Sequence, residues 1–290
     1  NYLRGVALHL QEEGYALPGM EAYIEGNVPI GAGLSSSAAL EVAAARAFRA
    51  LGDLALDNVR LALLCQRAEN EFVGVKCGIM DQFIASLGRR GHALFLDCRD
   101  LNYRLVSLPT ERVQIVVCDS RIQRGLVNSE YNQRRAECME GVRILGQFLP
   151  EVRALRDVSV EAFQEYRDSL PPLIARRCEH VIYENQRTRA AVRLLEEGDL
   201  VRFGELMAAS HTSLRDNYQV SCRGLDLLVE LANGVEGVLG ARLTGAGLGG
   251  CTVNLVRREA VEEFTECVAQ GYKAEMGWKP AIYACEVGGA

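Results

Sequence analysis

A glycine turn runs into three serines and then into an alanine-rich stretch: Pro29-Ile30-Gly31-Ala32-Gly33-Leu34-Ser35-Ser36-Ser37-Ala38-Ala39, followed by Leu40-Glu41-Val42-Ala43-Ala44-Ala45. Alanine is the strongest helix former, so a helix is expected from the serines to about Leu51, stopped by Gly52. Glycine lets backbone N–H groups come close to a ligand. The first N–H groups of a helix lack an internal partner and carry roughly half a positive charge, which suits a phosphate. An ordinary strand-to-helix turn with a serine cap would also account for the pattern. One cap needs one hydroxyl, however, so two serines are left for phosphate oxygens or a metal ion.

At 290 residues the chain exceeds a typical single domain and reads as two lobes, 1–110 and 111–290. A hydrophobic content of 49% supplies a buried core and argues against disorder. The net charge of −6, without a Lys/Arg cluster, disfavours a nucleic-acid partner. No apolar run approaches the length of a membrane span. Ten cysteines form no C-x-x-C pair, and most sit in apolar runs such as Ile115-Val116-Val117-Cys118. They read as reduced, buried thiols of a cytoplasmic protein. His9, His92, His180 and His211 show no metal-ligand spacing.

The first lobe reads as α+β. Tyr23–Val28 suggests a strand entering the serine loop. Asp57 caps a helix running past Glu69 towards Phe72 and ending near Gly74. Cys77-Gly78-Ile79-Met80-Asp81-Gln82 is a turn opening a short helix to Leu87. Strands are expected at Ala93–Asp97, Tyr103–Leu108 and Val113–Cys118. The pattern from Tyr131 to about Asn233 is mainly helical, with a stop at Gly198. Strands at Val238–Thr244 and Cys251–Val256, a helix over Glu259–Ala269 and a last strand at Ile282–Val287 close the chain as β-β-α-β. No long amphipathic seam suggests a coiled-coil partner, so a monomer or weak oligomer is expected.

Gly245-Ala246-Gly247-Leu248-Gly249-Gly250 matches G-x-G-x-x-G. A dinucleotide fingerprint needs a helix directly after its glycines, and a strand follows here. The loop is either a tight turn or a backbone lining for an active-site cleft. The P-loop pattern and the H-R-D and D-F-G set of protein kinases are absent.

Two acidic residues stand in unusual company. Glu69 lies near the end of an otherwise apolar-striped helix, and Asp81 lies among Ile79, Met80, Phe83 and Ile84. Asp81 is expected to be partly buried. Its ordinary role would be a helix cap, and that of Glu69 a solvated face. Phosphoryl transfer needs Mg²⁺, which takes oxygen ligands, and a group that orients the acceptor hydroxyl.

Taken with the serine loop and Leu243-Thr244-Gly245-Ala246-Gly247-Leu248-Gly249-Gly250-Cys251, these segments resemble the GHMP small-molecule kinase family. Asn1-Tyr2-Leu3-Arg4-Gly5-Val6, Asn128-Ser129-Glu130-Tyr131 and Ser210-His211-Thr212-Ser213-Leu214-Arg215-Asp216 add to the likeness, and Cys-Gly-Ile-Met-Asp-Gln points to its galactose-phosphorylating branch. The resemblance implies a two-lobed α+β fold with the active site in the cleft between lobes, ATP and Mg²⁺, and phosphorylation of galactose at its anomeric hydroxyl. N-acetylgalactosamine or galacturonate as acceptor, or a non-catalytic galactose and ATP sensor, are the alternatives.

By position, the resemblance assigns Pro29, Gly31, Gly33, Leu34, Ser35, Ser36, Ser37 and Ala38 to the phosphates, and Tyr2 to the neighbourhood of the adenine. It makes Ser37 and Glu69 the Mg²⁺ ligands, Asp81 the catalytic aspartate facing the sugar hydroxyl, and Gly78 and Tyr131 part of the sugar pocket. Gly245, Gly247, Gly249 and Gly250 shape the cleft. The family's earlier G-R-x-N-x-I-G-E-H-x-D-Y motif, with its catalytic arginine, is not present, and the chain starts at Asn1 without methionine. Residues 1–290 alone are therefore expected to be an N-terminally shortened, inactive form.

Overall fold

The computed structural model describes residues 1–30, 33–122 and 127–289, without the side chains of 127–129. It divides into two units. Unit 1 is Asn1–Leu108 joined by the chain end from Val287, and unit 2 is Pro109–Glu286.

Unit 1 begins with helix α1 (Tyr2–Glu12). The alanine-rich stretch forms α2 (Ser36–Gly52), whose buried Ala38, Glu41, Val42, Ala45 and Phe48 recur at helical spacing. The helix ends one residue beyond Gly52, where Asp53 takes a left-handed conformation, which Asp tolerates better than most residues. Helix α3 (Asn58–Arg67) starts as the sequence indicates, with Asp57 Oδ1 accepting from the Arg60 N–H at 2.8 Å. It continues into a wider π-type turn, Ala68–Val73, which ends at left-handed Gly74. Helix α4 (Met80–Leu87) follows. Val6 and Leu10 of α1, Val42, Ala45 and Phe48 of α2, and Leu61, Leu64 and Cys65 of α3 share one core. Removing each such side chain from water is worth about 1.5–3 kcal/mol for the larger apolar residues.

A hairpin of β1 (His92–Leu96) and β2 (Tyr103–Ser107) completes the unit, pairing antiparallel with Leu94 opposite Leu105. The strand expected at Tyr23–Val28 does not form: this stretch has no ladder, and Tyr23 and Ile24 are exposed. Its β-branched and aromatic residues favour a strand only when a neighbouring strand takes up the backbone hydrogen bonds. The described ladders of this unit are confined to β1 and β2.

Unit 2 opens with β3 (Val113–Asp119) and the helix α5 (Val127–Leu145). The helical middle continues with α6 (Val160–Tyr166), α7 (Pro172–Glu197), α8 (Leu200–Ser213) and α9 (Arg223–Asn233). Proline at the first turn of α7 and left-handed Gly198 after it bound that helix at both ends. Strands β4 (Val238–Leu243) and β5 (Cys251–Arg257), helix α10 (Val261–Met276) and strand β6 (Ala281–Cys285) follow. The antiparallel sheet has the order β4-β5-β3-β6.

Leu227, Leu228 and Ala232 of α9 and Phe264, Val268 and Tyr272 of α10 cluster with Val116, Ala241 and Val256 of the sheet. Helix α8 meets β4 at two glycines: a Cβ on Gly204 would overlap the Leu239 carbonyl, and one on Gly240 would come 2.6 Å from the Gly204 Cα. Only residues without side chains allow this approach of helix to strand.

None of the ten cysteines, all of them described, is in a disulfide. Burial is less uniform than their apolar neighbours suggest: Cys65, Cys118, Cys178 and Cys251 are buried, but Cys98 and Cys267 are exposed. Among the described residues, no helix is long and apolar enough to cross a membrane.

Candidate active site

The serine loop delivers an uncapped helix start. Ser35, the residue before α2, is left-handed with φ 60° and ψ 35°, and its side chain makes no capping bond. This goes against the alternative of an ordinary serine cap: the Ser35 hydroxyl does not bond the first N–H groups. A non-glycine residue held there costs on the order of 1 kcal/mol. With no acidic side chain in the first turn of α2, the positive end of the helix is not countered from within it. Pro29, Gly33, Leu34, Ser36 and Ser37 are half-buried, and Ala38 is buried. Gly33 has a φ of 77°, the left-handed region that favours glycine. Gly31 lies outside the described residues.

One turn along the same face from Ser37 stands Glu41, fully buried although charged residues rarely are. Its Oε2 accepts a hydrogen bond from Gln82 Nε2 at 3.2 Å. The same Nε2 donates to Glu69 Oε2 at 2.6 Å. Glu69 is 6% exposed, not the solvated face residue of the alternative reading. It lies on the stripe of buried Ala62 and Cys65, seven and four residues before it at helical spacing. Burial pushes the Glu41 carboxyl up to about 8, opposed by the Gln82 donor and reinforced by the Glu69 charge, so at neutral pH it holds a proton. The Cys77 Sγ lies 3.4 Å from Glu69 Oε2. Burial first, and the Glu69 charge second, push the Cys77 thiol up to about 12, which makes it a donor rather than a nucleophile.

Glu41 and Gln82 are functional candidates that sequence reasoning passed over. The signal was present: an acid four residues after Ser37 inside an apolar run, and an amide beside Asp81 on a short amphipathic helix.

Asp81 occupies the first turn of α4 and is exposed, contrary to the expected partial burial. It is not the cap residue either, since Ile79 precedes the helix. The cause is the helix itself, which turns Gln82, Phe83 and Ser86 inward and leaves Asp81, Met80 and Ile84 outside. Gly78 is exposed, its φ is not left-handed, and a Cβ there would meet nothing within 4 Å. The fold therefore does not require a glycine at this position. Tyr2, on α1, has its phenol raised by burial and then by the charges of Glu69 and Glu41, which places it within their field.

The remaining candidates belong to unit 2. Tyr131 projects from α5 and is 47% exposed. The loop joining β4 to β5 holds Gly245, Gly247, Gly249 and Gly250 at φ 73°, 77°, 127° and 79°. A Cβ on Gly247 would run into the Val220 carbonyl, and one on Gly249 would lie 2.6 Å from the Ile122 carbonyl. The Leu248 N–H donates to the Val220 carbonyl at 2.7 Å, and the Ser120 N–H to the Gly250 carbonyl at 2.9 Å. Two of these glycines thus have a packing reason in addition to any role towards a ligand.

The donor set of unit 1 is one of oxygens: the Ser37 hydroxyl, the Glu69 carboxylate, and the buried Glu41 Oε1 and Gln82 Oε1, which have no hydrogen-bond partner among the described residues. It suits a hard divalent cation that keeps waters and phosphates as further ligands. Among the described residues no group of three or more His, Cys, Asp or Glu is arranged around a metal position, so an all-protein cage is absent there.

Residues 1–89 match the GHMP kinases N terminal domain and residues 191–274 the GHMP kinases C terminal domain. The chain is 53% identical over 285 residues to a galactokinase of Roseiflexus sp. (strain RS-1), covering 98% of this chain and 73% of that protein. It is 50% identical to a galactokinase of Chloroflexus aurantiacus, covering 99% and 74%. In structure it is similar to Lactococcus lactis galactokinase complexed with galactose, with a TM-score of 0.91, 35% identity, and 100% of this chain against 75% of that one. Mevalonate kinase of L. major shares the fold at a TM-score of 0.59 and 22% identity.

Proposed function

This chain belongs to the galactokinases of the GHMP kinase family, and we propose that the unit 1 cluster is where it brings the phosphates of ATP to the anomeric hydroxyl of galactose. The observation that carries this reading is the buried chain Glu41–Gln82–Glu69 beside the uncapped start of α2. It combines a positive helix end for phosphate with an oxygen ligand for a cation.

The loop Pro29–Ala38 receives the β- and γ-phosphates on backbone N–H groups and on serine hydroxyls. Ser37 and Glu69 would hold Mg²⁺, which neutralises phosphate charge when bound. Asp81 orients the galactose hydroxyl and takes its proton as the anomeric oxygen bonds to the γ-phosphorus and the bond to ADP breaks. Gly78 leaves room beside it for the sugar. Tyr2 stands near the nucleotide. Because the transition state of such transfers is loose, positioning and charge neutralisation supply most of the acceleration. Cysteines that are all outside disulfides suit a reducing cytoplasm.

The test is ADP release by the complete gene product with a panel of galactose, N-acetylgalactosamine, galacturonate and glucose. Turnover with galactose well above the others is expected. A preference for another sugar moves the acceptor assignment, and binding of ATP and galactose without turnover overturns the catalytic reading in favour of a sensor.

A further inference from the structure

We propose that Gln82 and Cys77 are positioning residues that decide which oxygen of Glu69 is offered to a divalent cation. This rests on the reading of Glu69 as a cation ligand given above.

Both donors converge on one oxygen. Gln82 Nε2 lies 2.6 Å and Cys77 Sγ 3.4 Å from Glu69 Oε2, and neither bonds Oε1. A carboxylate has two oxygens with two lone-pair directions each. Occupying Oε2 twice leaves Oε1 as the oxygen available to an ion and fixes the rotation of the carboxylate that presents it.

The clamp is itself anchored. The amide nitrogen of Gln82 donates to Glu69 Oε2 and Glu41 Oε2, with Cys77 Sγ a longer contact at 3.7 Å. Turning the amide over would bring its oxygen against the Glu69 Oε2 acceptor, so Glu69 sets its orientation. Gln82 and Glu41 are fully buried, which prevents water from replacing either bond. Cys77 is held through its backbone: its N–H donates to Asn70 Oδ1 at 2.8 Å, and its carbonyl accepts from Gln66 Nε2 at 3.2 Å. Glu41 stands one turn from Ser37 on α2. The amide of Gln82 therefore ties the helix bearing the serine to the side chain bearing the carboxylate. Outer partners of this kind orient metal ligands, and losing one typically weakens metal affinity about 10- to 100-fold.

The experiment titrates Mn²⁺ as a spin probe, by electron paramagnetic resonance, into the complete protein with saturating ADP. Parent, Gln82→Leu, Gln82→Asn, Cys77→Ala and Glu69→Gln are compared, and metal-free thermal melting checks that each variant folds. Gln82→Leu and Gln82→Asn are expected to weaken Mn²⁺ binding by about 10-fold or more, Cys77→Ala by less, and ADP binding without metal is expected to stay as in the parent. Parent-like Mn²⁺ affinity in folded Gln82 variants overturns the clamp. If Gln82→Leu does not fold, Gln82→Asn and Cys77→Ala decide the matter, and parent-like affinity in both overturns it. If Glu69→Gln also binds like the parent, it is the cation-ligand reading that fails. If Glu69→Gln alone loses Mn²⁺, that reading stands and the clamp is wrong.

Discussion

Asp81 and Gln82 are consecutive residues of α4 that the helix sends to opposite environments, Asp81 exposed and Gln82 fully buried. Successive residues on an α-helix lie about 100° apart, so one short helix presents a carboxylate outward while its amide neighbour holds the internal cluster. The aspartate proposed to meet the sugar hydroxyl is thereby placed next to a buried support.

Asp81→Asn should cost catalysis and leave the fold alone. General acid–base help is worth roughly 10²- to 10⁴-fold, and an exposed first-turn residue that caps nothing affects stability by less than about 0.5 kcal/mol. Galactose-dependent ADP release together with chemical denaturation of both proteins checks this. Near-normal turnover would remove Asp81 from the mechanism.

Gly78→Ala separates ligand fit from folding. A Cβ there meets nothing of the protein within 4 Å, so the melting temperature should hold. A methyl group in space reserved for the sugar should raise KM for galactose severalfold. An unchanged KM would show that the glycine does not face the substrate.

Gly204→Ala should destabilise unit 2 by about 3 kcal/mol or more, because overpacking a tight contact costs 1–3 kcal/mol and here the added methyl meets backbone. Denaturant unfolding of the two proteins measures the difference. A loss below about 1 kcal/mol would mean that α8 can shift away from β4.

Acid should weaken unit 2 through His180. This imidazole is 6% exposed, bonds the Ser213 hydroxyl at 3.0 Å and stacks on Tyr218 with ring centroids 4.5 Å apart. Burial pulls it from 6.5 down to about 4; Glu184 opposes the shift, and Arg187, Arg242 and Arg177 add to it. A folded value below the unfolded one means that the unfolded chain takes up the proton first. The neutral-ring advantage is complete above pH 6.5 and fades as pH falls towards 4, a loss of about 3 kcal/mol for this group. Stability measured from pH 7 to 4.5 should fall less steeply in His180→Gln than in the parent. Equal slopes would exclude the histidine as the cause.

Much of the architecture was legible because its cues are local. Asp57, Gly74 and Gly198 punctuate the helices where the structure starts or ends them, and the strands that form lie within a few residues of those expected. Tyr23–Val28 misled because strand propensity says nothing about whether a pairing partner exists. The exposure of Asp81 and the burial of Glu69 depend on which way each helix rolls against its neighbours. Asp81 sits among apolar residues that themselves face outward, so its surroundings in sequence suggested an interior that is not there. The Glu41–Gln82–Glu69 linkage joins residues up to 41 positions apart, and only the packing of α2 and of the π-type turn after α3 against α4 brings them together.

The stretch from Val287 returns to unit 1, where its carbonyl accepts from the Gly91 N–H at 3.3 Å. Unit 1 is therefore discontinuous along the chain, with the whole of unit 2 inserted between its two parts. During synthesis, which proceeds from the N-terminus at about 5–20 residues per second, α1 to β2 emerge long before this last piece. At that rate the bond to Gly91 cannot close until about 10 to 40 seconds after β2 has been made. A nascent chain must therefore carry unit 1 without this tie while the whole of unit 2 is being made.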